Sequence, residues 1–123
     1  MPKYSDTTCR CCLREIMPVL SRKWSICVIA TLGRHGRMRF SEILLVCRTI
    51  SPRSLTIVLQ DLQEHGIATR QSFPEIPPRV EYSLTTKGMA LWKSLVPLFY
   101  WAREYHRHVD EQPGMLCFQA PDL

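Results

Sequence analysis

Residues 51–66, SPRSLTIVLQDLQEHG, decide the fold because they carry the pattern of one amphipathic helix with a marked start and stop. Apolar residues recur at the spacing of one helical face, so this face should pack inward. They are Leu55, Val58, Leu59 and Leu62. Ser51 suits the N-cap, and Pro52 suits the first helical position, where its missing N–H costs nothing. Gly66 is the expected C-terminal stop.

The polar residues of this helix are distributed unevenly. The first half carries only uncharged or basic polar side chains, which are Arg53, Ser54, Thr56 and Gln60. Asp61 and Glu64 follow in the second half, where phosphate would repel them. A helix that contacts base edges with its N-terminal end needs this order. An ordinary amphipathic helix with a solvated polar face fits the same pattern, so the flanking sequence has to decide.

Two helical patterns stand near the start of the chain. Apolar residues at helical spacing mark a short first helix within residues 13–20, where Pro18 must delay, kink or end the helix. Residues 22–32 are apolar nearly all round, and Ser21 can cap them. A helix that is apolar on every side is buried, so this one should form the middle of the domain.

A third helix leads into residues 51–66. Gly33 and Gly36 break the preceding pattern, and residues 37–39 can form only a very short extended piece. Apolar residues at helical spacing then predict a helix from about Ser41 to residue 47. Residues 48–50 make a tight turn. Two short helices that meet through such a turn form the helix-turn-helix layout.

After residue 66 the period changes to that of strands. Residues 67–73 predict one strand, and the alternation of residues 80–84 predicts a second strand with one buried face. The loop between them, PEIPP at residues 74–78, is stiff because each proline fixes its own φ. A hairpin with a projecting loop after a helix-turn-helix is a wing. Arg70 and Arg79 are placed to meet phosphate or a minor groove.

Thr85 or Thr86 can cap a last helix that runs to about residue 108. Its apolar residues cover far more than one stripe, although a terminal helix can bury only one face on its own small domain. The surplus includes Trp92, Phe99 and Trp101, and it needs a second surface. A homodimer is the simplest answer.

Composition limits the class of protein. The chain has 123 residues, 46% of them hydrophobic and 22% charged, so one soluble domain with a real core is expected. The formal net charge of +5 suits a polyanionic partner. No apolar run reaches the ~18 residues that span a bilayer. Residues 1–12 lack the apolar core of a signal peptide. We therefore expect a cytoplasmic protein with no membrane partner.

These patterns predict an α+β, mostly helical fold. It is a winged helix-turn-helix with a two-stranded β-hairpin wing and a long C-terminal dimerisation helix. Residues 1–10 should form a flexible N-terminal arm. Residues 11–110 should form the DNA-binding domain, with dimerisation helices at both ends, and residues 111–123 a C-terminal tail.

Four stretches of the sequence resemble the HxlR family of bacterial and archaeal winged helix-turn-helix transcription regulators, which are related in fold to the MarR group. They are Lys23-Trp24, RFSEI at 39–43, Ile50-Ser51 and FPEIPPRVEYSLT at 73–85. The resemblance covers residues 11–105. It implies a homodimer that binds double-stranded DNA at a pseudo-palindromic operator, with half-sites about one helical turn apart. Each recognition helix would enter a major groove.

The same resemblance implies that the first and last helices form the dimer interface. The interface residues would be Leu13, Ile16, Leu20, Trp92, Leu95, Phe99, Trp101 and Tyr105. The sequence also departs from the family. Ser21-Arg22 replaces the usual Gly-Gly pair, and Pro18 replaces a polar residue. Pro52 and Arg53 stand where glutamine is common, so the operator sequence does not transfer from a relative.

Arg53 is the best candidate for a base contact, since a guanidinium can bond guanine bidentately, and its alternatives are phosphate or solvent. Ser54, Thr56 and Gln60 are weaker candidates for base or phosphate contacts. Ser41 and Ser51 lie at predicted helix starts, where they could bind phosphate, cap the helix, or do both. Lys23 and Arg39 could hold the DNA backbone or remain solvated charges.

The six cysteines fall into groups. Cys27 and Cys47 lie on apolar faces and should be small core residues. Cys9, Cys11 and Cys12 cluster around the first helix. In the family resemblance Cys11 matches an N-terminal cysteine that senses oxidants or electrophiles in some members. Arg10, Arg14 and a helix N-terminus would favour the reactive thiolate. Inert thiols are the alternative.

A zinc site from the three N-terminal cysteines with His106 or His108 is disfavoured, because Cys-x-Cys-Cys is not the usual ligand spacing. We therefore assign no metal and no cofactor. The sequence holds no phosphate-binding glycine loop, nucleophile elbow or His-Glu-x-x-His pattern, so we expect no enzyme. The alternative to a DNA-binding regulator is a dimeric winged-helix module that binds proteins without specific DNA readout.

Overall fold

The computed structural model describes the backbone of residues 6–105 and the side chains of residues 12–105. This part of the chain folds into five helices and one antiparallel hairpin. They are α1 (Asp6–Leu20), α2 (Ser25–His35), α3 (Phe40–Val46), α4 (Pro52–Glu64), β1 (Ala68–Phe73), β2 (Arg79–Leu84) and α5 (Thr86–Tyr105). The predicted winged helix-turn-helix is confirmed, with α3 and α4 as its two helices and β1–β2 as its wing.

The helix α2 forms the centre of the core. Its residues 27–32 are all at most 1% exposed, and it contacts every other helix as well as β2. The predicted buried helix is therefore confirmed, although it begins at Ser25 rather than residue 22. The prediction that Ser21 caps it is wrong. The Ser21 hydroxyl donates to the Pro18 carbonyl oxygen (3.4 Å), and residues 21–24 form a turn.

The first helix differs from its predicted extent. α1 begins at Asp6, so residues 6–10 are helical where a flexible arm is expected from composition. Pro18 lies near the C-terminal end of α1, and the helix ends at Leu20, which is one of the outcomes expected of that proline. Residues 1–5, and the predicted tail at 111–123, lie outside the described residues.

The wing is tied to the body of the domain through a third strand-like segment. Met38 and Tyr82 form an antiparallel bridge with two backbone hydrogen bonds of 2.9 and 2.7 Å, as the short extended piece at 37–39 predicts. In the hairpin itself Ala68 pairs with Leu84, and Phe73 pairs with Arg79. Every residue of β2 is half-buried. The predicted alternation is therefore absent from the exposed fractions, although Tyr82 and Leu84 pack against the core.

The start of α5 packs against the end of α4. The Thr85 hydroxyl accepts from the Gly88 N–H (3.0 Å) and donates to the Gly66 carbonyl oxygen (2.5 Å), so Thr85 is the cap. A Cβ at Gly88 would collide with the carbonyl oxygen of Ile67. The absence of a side chain at Gly88 therefore lets α5 approach the root of the wing closely.

Three residues predicted at the dimer interface lie in the core of the protomer instead. Trp92 and Phe99 are 5% exposed and Leu95 is 9% exposed. The Trp92 and Phe99 rings meet edge to face, with centroids 5.4 Å apart. Gly33 of α2 makes room for the Trp92 ring, which a Cβ there would strike. These side chains form the inner stripe of α5. Fewer large apolar side chains of α5 therefore face outward than the sequence predicts.

The other predicted interface residues keep accessible surface. Ile16 and Leu20 pack partly against the core. Leu13, Trp101 and Tyr105 are more than half exposed, and Met17 and Leu98 are about half exposed. We call these five exposed side chains, two on α1 and three on α5, collectively the apolar end surface. It is formed by the two helices that the sequence assigns to dimerisation.

No single helix among residues 6–105 is long and apolar enough to cross a membrane. Two consecutive helical segments, Cys12–Leu20 and Ser25–His35, reach the required length and apolar composition only when they are taken together. A bend of 90° separates them.

We expect Trp92→Ala to lower the free energy of unfolding by about 3–5 kcal/mol, because it empties the space between α2 and α5. Urea denaturation at several protein concentrations measures this loss, which should appear at each of them. Trp101→Ala, in the same helix but more than half exposed, is the matched control and should cost less. A Trp92→Ala variant that keeps the wild-type free energy of unfolding, and shows only weaker self-association, would contradict the assignment of Trp92 to the core.

Candidate nucleic-acid interface

The N-terminus of α4 is held by the predicted cap. Ser51 has extended backbone angles, and its Oγ accepts a hydrogen bond from the Ser54 N–H (3.1 Å). The Ser51 hydroxyl in turn donates to Ser54 Oγ (3.0 Å). Pro52 occupies the first helical position, so the predicted start is confirmed. Because both serine side chains serve the cap, their hydroxyls are less available to DNA than the sequence predicts.

The other end of α4 is equally well defined. His65 closes the helix, and Gly66 follows with φ of 69°, a left-handed conformation that glycine adopts without strain. Between these ends the predicted apolar face is at most 2% exposed. It consists of Leu55, Val58, Leu59 and Leu62. The inner face and both caps therefore fix which side chains of α4 point outward.

Four side chains form an exposed stripe along α4 at helical spacing. We call them the outer face: Arg53, Thr56, Ile57 and Gln60. Arg53 and Gln60 make no hydrogen bond or ion pair with any described residue. The Thr56 hydroxyl donates to the Pro52 carbonyl oxygen (2.9 Å), which leaves its methyl group and an oxygen lone pair for a ligand. Ser54 lies beside this stripe and is half-buried.

Ile57 is a candidate contact residue that the sequence analysis missed. It is 41% exposed and lies between Arg53 and Gln60 on the outer face. Its spacing from the inner-face leucines already places it on the opposite side of the helix. Polarity alone does not reveal it, because Ile57 is apolar, although an apolar side chain can recognise the methyl group of thymine.

The acidic second half of α4 is used to hold the helix in place. Asp61 forms an ion pair with Arg22 Nε (3.4 Å) in the turn before α2. Its other carboxylate oxygen lies 3.6 Å from His65 Nδ1, which is also 2.9 Å from the Asp61 carbonyl oxygen. Asp61 thus braces the recognition helix at the end remote from its cap. This pairing spans 39 positions in sequence, so no local pattern reveals it.

Three residues outside α4 that the sequence predicts to contact the DNA backbone are exposed. Lys23 is exposed, and its Nζ lies 5.3 Å from the centroid of the neighbouring Trp24 ring. Arg39 is exposed at the N-cap of α3, and its backbone N–H donates to Glu42 Oε1 (3.1 Å). Ser41 is exposed but lies one residue inside α3, which begins at Phe40. The expected capping by Ser41 is therefore wrong.

The two arginines predicted in the wing differ in their surroundings. The Arg79 guanidinium lies 3.2 Å from Glu75 and 3.4 Å from Glu81, and it stacks over the Phe73 ring at 4.2 Å. These three contacts hold the side chain on the hairpin. Arg70 is exposed on β1 opposite Tyr82, and no described residue pairs with it. Arg70 is accordingly the wing cation that remains available for phosphate.

The cysteines separate as predicted into core and surface groups. Cys27 and Cys47 are at most 1% exposed, with their sulfur atoms 3.5 Å apart, which confirms that both lie in the core. Cys47 is a free thiol, but Cys27 forms a disulfide with a cysteine whose side chain lies outside the described residues, so the expectation of no disulfide is wrong for Cys27. Burial raises the pKa of the Cys47 thiol, while the Thr31 hydroxyl at 3.3 Å acts in the opposite direction. Cys12 is exposed. The side chains of Cys9 and Cys11 lie outside the described residues.

Cys12 opens on a cavity of about 540 Å³ between α1, the end of α4 and the start of α5. Its polar lining includes Glu15, Glu64 and His65. Lys87 donates to the His65 carbonyl oxygen across this region (2.9 Å). Because α1 begins at Asp6, Cys12 lies beyond the first helical turn, where the helix dipole has little effect on a thiol. No cluster suited to a metal ion occurs among the residues that the structure describes.

Known proteins share both the sequence pattern and the fold. A model of HxlR-like helix-turn-helix proteins matches residues 19–110. An uncharacterized HTH-type transcriptional regulator of Synechocystis is 39% identical over 112 residues, which is 91% of this chain and 82% of that protein.

Solved structures agree. The reduced form of the transcriptional regulator YodB from B. subtilis matches with a TM-score of 0.67 at 28% identity, over 86% of this chain and 98% of that one. The redox regulator HypR in its oxidized form matches with a TM-score of 0.70 at 31% identity, over 76% and 96% of the two chains. MarR-family structures match as well. The chain therefore belongs to the HxlR-like helix-turn-helix family of transcriptional regulators.

Proposed function

We propose that this regulator acts as a cytoplasmic homodimer that binds a specific pseudo-palindromic operator and catalyses no reaction. The observation that carries the proposal is the outer face of α4. It presents a cation, an amide and an aliphatic side chain with no carboxylate among them. The carboxylates of this helix lie at its other end, where Asp61 is already paired. This order suits a helix whose N-terminal half enters a major groove.

Each outer-face side chain has a distinct base chemistry. Arg53 can donate two hydrogen bonds to guanine O6 and N7, and Gln60 can bond adenine N6 and N7. Ile57 and the Thr56 methyl group suit the C5-methyl of thymine. Ser51 and Ser54 hold the start of the helix. Pro52 has no N–H and the Ser54 N–H donates to the cap, so the Arg53 N–H is the backbone donor of that turn that remains for a phosphate. The combination discriminates between base pairs, which a purely electrostatic surface could not do.

The cations around α4 supply contacts that do not depend on base sequence. Lys23 precedes α2, Arg39 precedes α3 with Ser41 beside it, and Arg70 projects from β1. Contacts to phosphate fix the register of a protein on the duplex without selecting a sequence. Arg79 contributes differently from the expectation in the sequence, since its ion pairs and the Phe73 ring make it a brace of the wing.

Dimerisation rests on the apolar end surface. Leu13, Met17, Leu98, Trp101 and Tyr105 expose large apolar groups on α1 and α5. A second copy of the chain can bury the apolar end surface, because a two-fold interface uses the same surface on both subunits. Two recognition helices related by that axis would read two half-sites about one helical turn apart.

The proposal includes sensing of oxidants or electrophiles by the N-terminal cysteines. Cys12 is exposed beside a cavity that reaches Glu64 and His65 at the end of α4, so a change at its sulfur can act on the recognition helix. Cys9 and Cys11 occupy the same helix. The structurally similar protein HypR is described as a redox regulator, which supports a redox response in this chain. Oxidation would join two thiols as a disulfide, and the oxidant would take up two electrons and two protons.

We expect Arg53→Ala to remove the preference for one guanine, with a loss of about 10- to 100-fold in discrimination. Duplexes selected from a random-sequence library by the wild-type protein provide the measurement, through binding titrations at two salt concentrations. Lys93→Ala, which removes an exposed cation from α5, is the control and should keep the preference. Equal, weak binding to every duplex would contradict specific recognition and favour the protein-interaction module.

We expect Leu13→Glu to dissociate the homodimer, because it places a charge in the apolar end surface. Sedimentation velocity over a range of concentrations measures the shift from dimer to monomer. Leu45→Glu is the matched control, since Leu45 is 72% exposed on α3, away from that surface. A dimer that tolerates the Leu13 variant, or one that only the Leu45 variant disrupts, would place the interface elsewhere.

We expect a thiol oxidant to change the affinity of the wild-type protein for its selected duplex by about 5- to 150-fold. Single Cys11→Ser and Cys12→Ser variants should identify the sulfur that carries the response. Cys47→Ala, which removes a buried thiol, should keep it. Persistence of the response after replacement of Cys9, Cys11 and Cys12 together would rule out the N-terminal sensor.

A further inference from the structure

Ile76 stands at the tip of the wing with its side chain entirely exposed. Its relative exposure is 101%, the highest among the exposed large hydrophobic side chains in the described part of the chain. The other such side chains lie on helices, where neighbours cover part of each one. Ile76 instead projects from a loop that extends beyond the last pair of the hairpin, Phe73 and Arg79. The protomer therefore offers no partner for it.

The loop presents Ile76 in a fixed position. Pro74, Pro77 and Pro78 restrict the backbone on both sides of it, since each proline fixes its own φ. The Glu75 N–H donates to the Phe73 carbonyl oxygen (2.8 Å). The Arg79 guanidinium joins the Glu75 and Glu81 carboxylates and covers the Phe73 ring. A loop backbone that is restricted in this way loses little conformational entropy when it binds.

The same contacts change the electrostatics of the tip. Glu75 would repel phosphate if it were unpaired, but Arg79 lies 3.2 Å from its carboxylate. Arg70 adds an exposed positive charge further down the hairpin. The tip is thus an apolar side chain next to an arginine that two carboxylates share, Glu75 and Glu81, and Arg70 supplies the second positive charge that balances them. This arrangement can approach a polyanion, which an unpaired carboxylate would oppose.

The hairpin also has a fixed relation to the recognition helix. Ile67 follows α4 after His65 and Gly66, and its backbone N–H donates to the Leu62 carbonyl oxygen (2.9 Å). At the opposite edge Tyr82 is bridged to Met38. When the outer face of α4 lies in a major groove, a hairpin held beside it meets the backbone and the neighbouring minor groove. The loop at residues 74–78 lies at the end of that hairpin remote from α4, so it would be the part of the wing that enters the groove.

We propose that Ile76 inserts into the minor groove as a wedge between base pairs and bends the operator. The inference rests on the proposed function, because it assumes that α4 binds DNA. Partly unstacking a base step with an aliphatic side chain kinks the duplex toward the major groove. Pyrimidine–purine steps unstack most easily, so the operator should carry a TA or CA/TG step beneath each wing tip. The wing would then select sequence through deformability rather than base contacts.

A duplex fits this tip better than other macromolecules. A membrane surface requires a broad apolar face, and a protein partner requires a desolvated patch of many side chains. Ile76 offers neither, because the loop around it consists of prolines and an ion pair. A single rigid aliphatic group between two base pairs is sufficient for a DNA wedge.

The test uses the full-length dimer and the duplexes that the wild-type protein enriches from a random-sequence library. End-to-end energy transfer on labelled duplexes measures the bend. The fluorescence of 2-aminopurine, placed at the step beneath the wing, measures unstacking. The variants are Ile76→Ala, which shortens the side chain, and Ile76→Met, which keeps an apolar side chain of similar length. Leu45→Ala is the control for loss of an exposed aliphatic group elsewhere.

Wild-type protein and Ile76→Met should bend the duplex and raise the 2-aminopurine signal, whereas Ile76→Ala should lose more than half of both. The affinity of Ile76→Ala should fall by less than about tenfold, because the lost contact and the avoided cost of bending oppose each other. Leu45→Ala should match the wild type. Thermal unfolding should confirm that all variants fold.

Equal bending by the wild type and Ile76→Ala would overturn the wedge. So would a straight duplex in the wild-type complex, or wild-type retention on anionic vesicles that Ile76→Ala abolishes while the bend stays unchanged. In these cases the library still yields a specific duplex, and the proposed function stands. Failure of the wild-type protein to enrich any sequence is a different result, because it removes the DNA-binding proposal itself.

Discussion

The burial of α2 on all sides is the constraint on which the other elements depend. This helix supplies the surface against which α4 places its inner face and α5 places Trp92. Because α2 has almost no exposed side, each neighbour has to meet it with an apolar stripe of its own. The orientation of each neighbouring helix is then fixed by that stripe. Arg53 points outward because the inner face of α4 packs on α2, and no contact of Arg53 itself is needed for this orientation.

A second level of organisation locks the recognition helix at its ends. Ser51 closes the N-terminus, and the Asp61–Arg22 pair ties the C-terminal half to the turn before α2. The wing is stiffened by the same kind of device, an arginine between two carboxylates and an aromatic ring. In both cases charged groups that could have contacted a ligand are used to hold a backbone in place. The side chains left free are correspondingly few, and they define the candidate interface.

The features that the sequence predicts well are those with local causes. The cap and the first proline of α4, the glycine after it, and the proline-rich loop each depend on residues within a few positions. Ser21 has the chemistry of a cap, but its hydroxyl bonds backward to Pro18, so α2 starts later than the sequence predicts. Trp92 and Phe99 were assigned to an interface because apolar periodicity does not say whether a stripe meets its own protomer or another. The Arg22–Asp61 pair depends on tertiary folding and leaves no local trace.

Ile57 shows a different kind of omission. Its position on the outer face follows from helical spacing alone, yet a search limited to hydrogen-bonding side chains excludes it. Arg79 shows the converse, since its charge made it a contact candidate while its neighbours Glu75 and Glu81 were already visible in the sequence. A polar or charged residue type therefore predicts contact with a ligand only after its intramolecular partners have been considered.

The hydrogen bonds from Thr85 and Lys87 to the end of α4 give α5 the properties of a lever. Its pivot is the junction at Gly66 and His65, and its far end carries Trp101 and Tyr105. A helix of 20 residues is about 30 Å long, so a tilt of about 5° about the pivot displaces the far end by roughly 3 Å. Conversely, if two copies meet at that end as proposed, a small change in their contact would reach the pivot as a torque on α4. In the proposed homodimer, the spacing between the two recognition helices would thus depend on the geometry of the subunit contact.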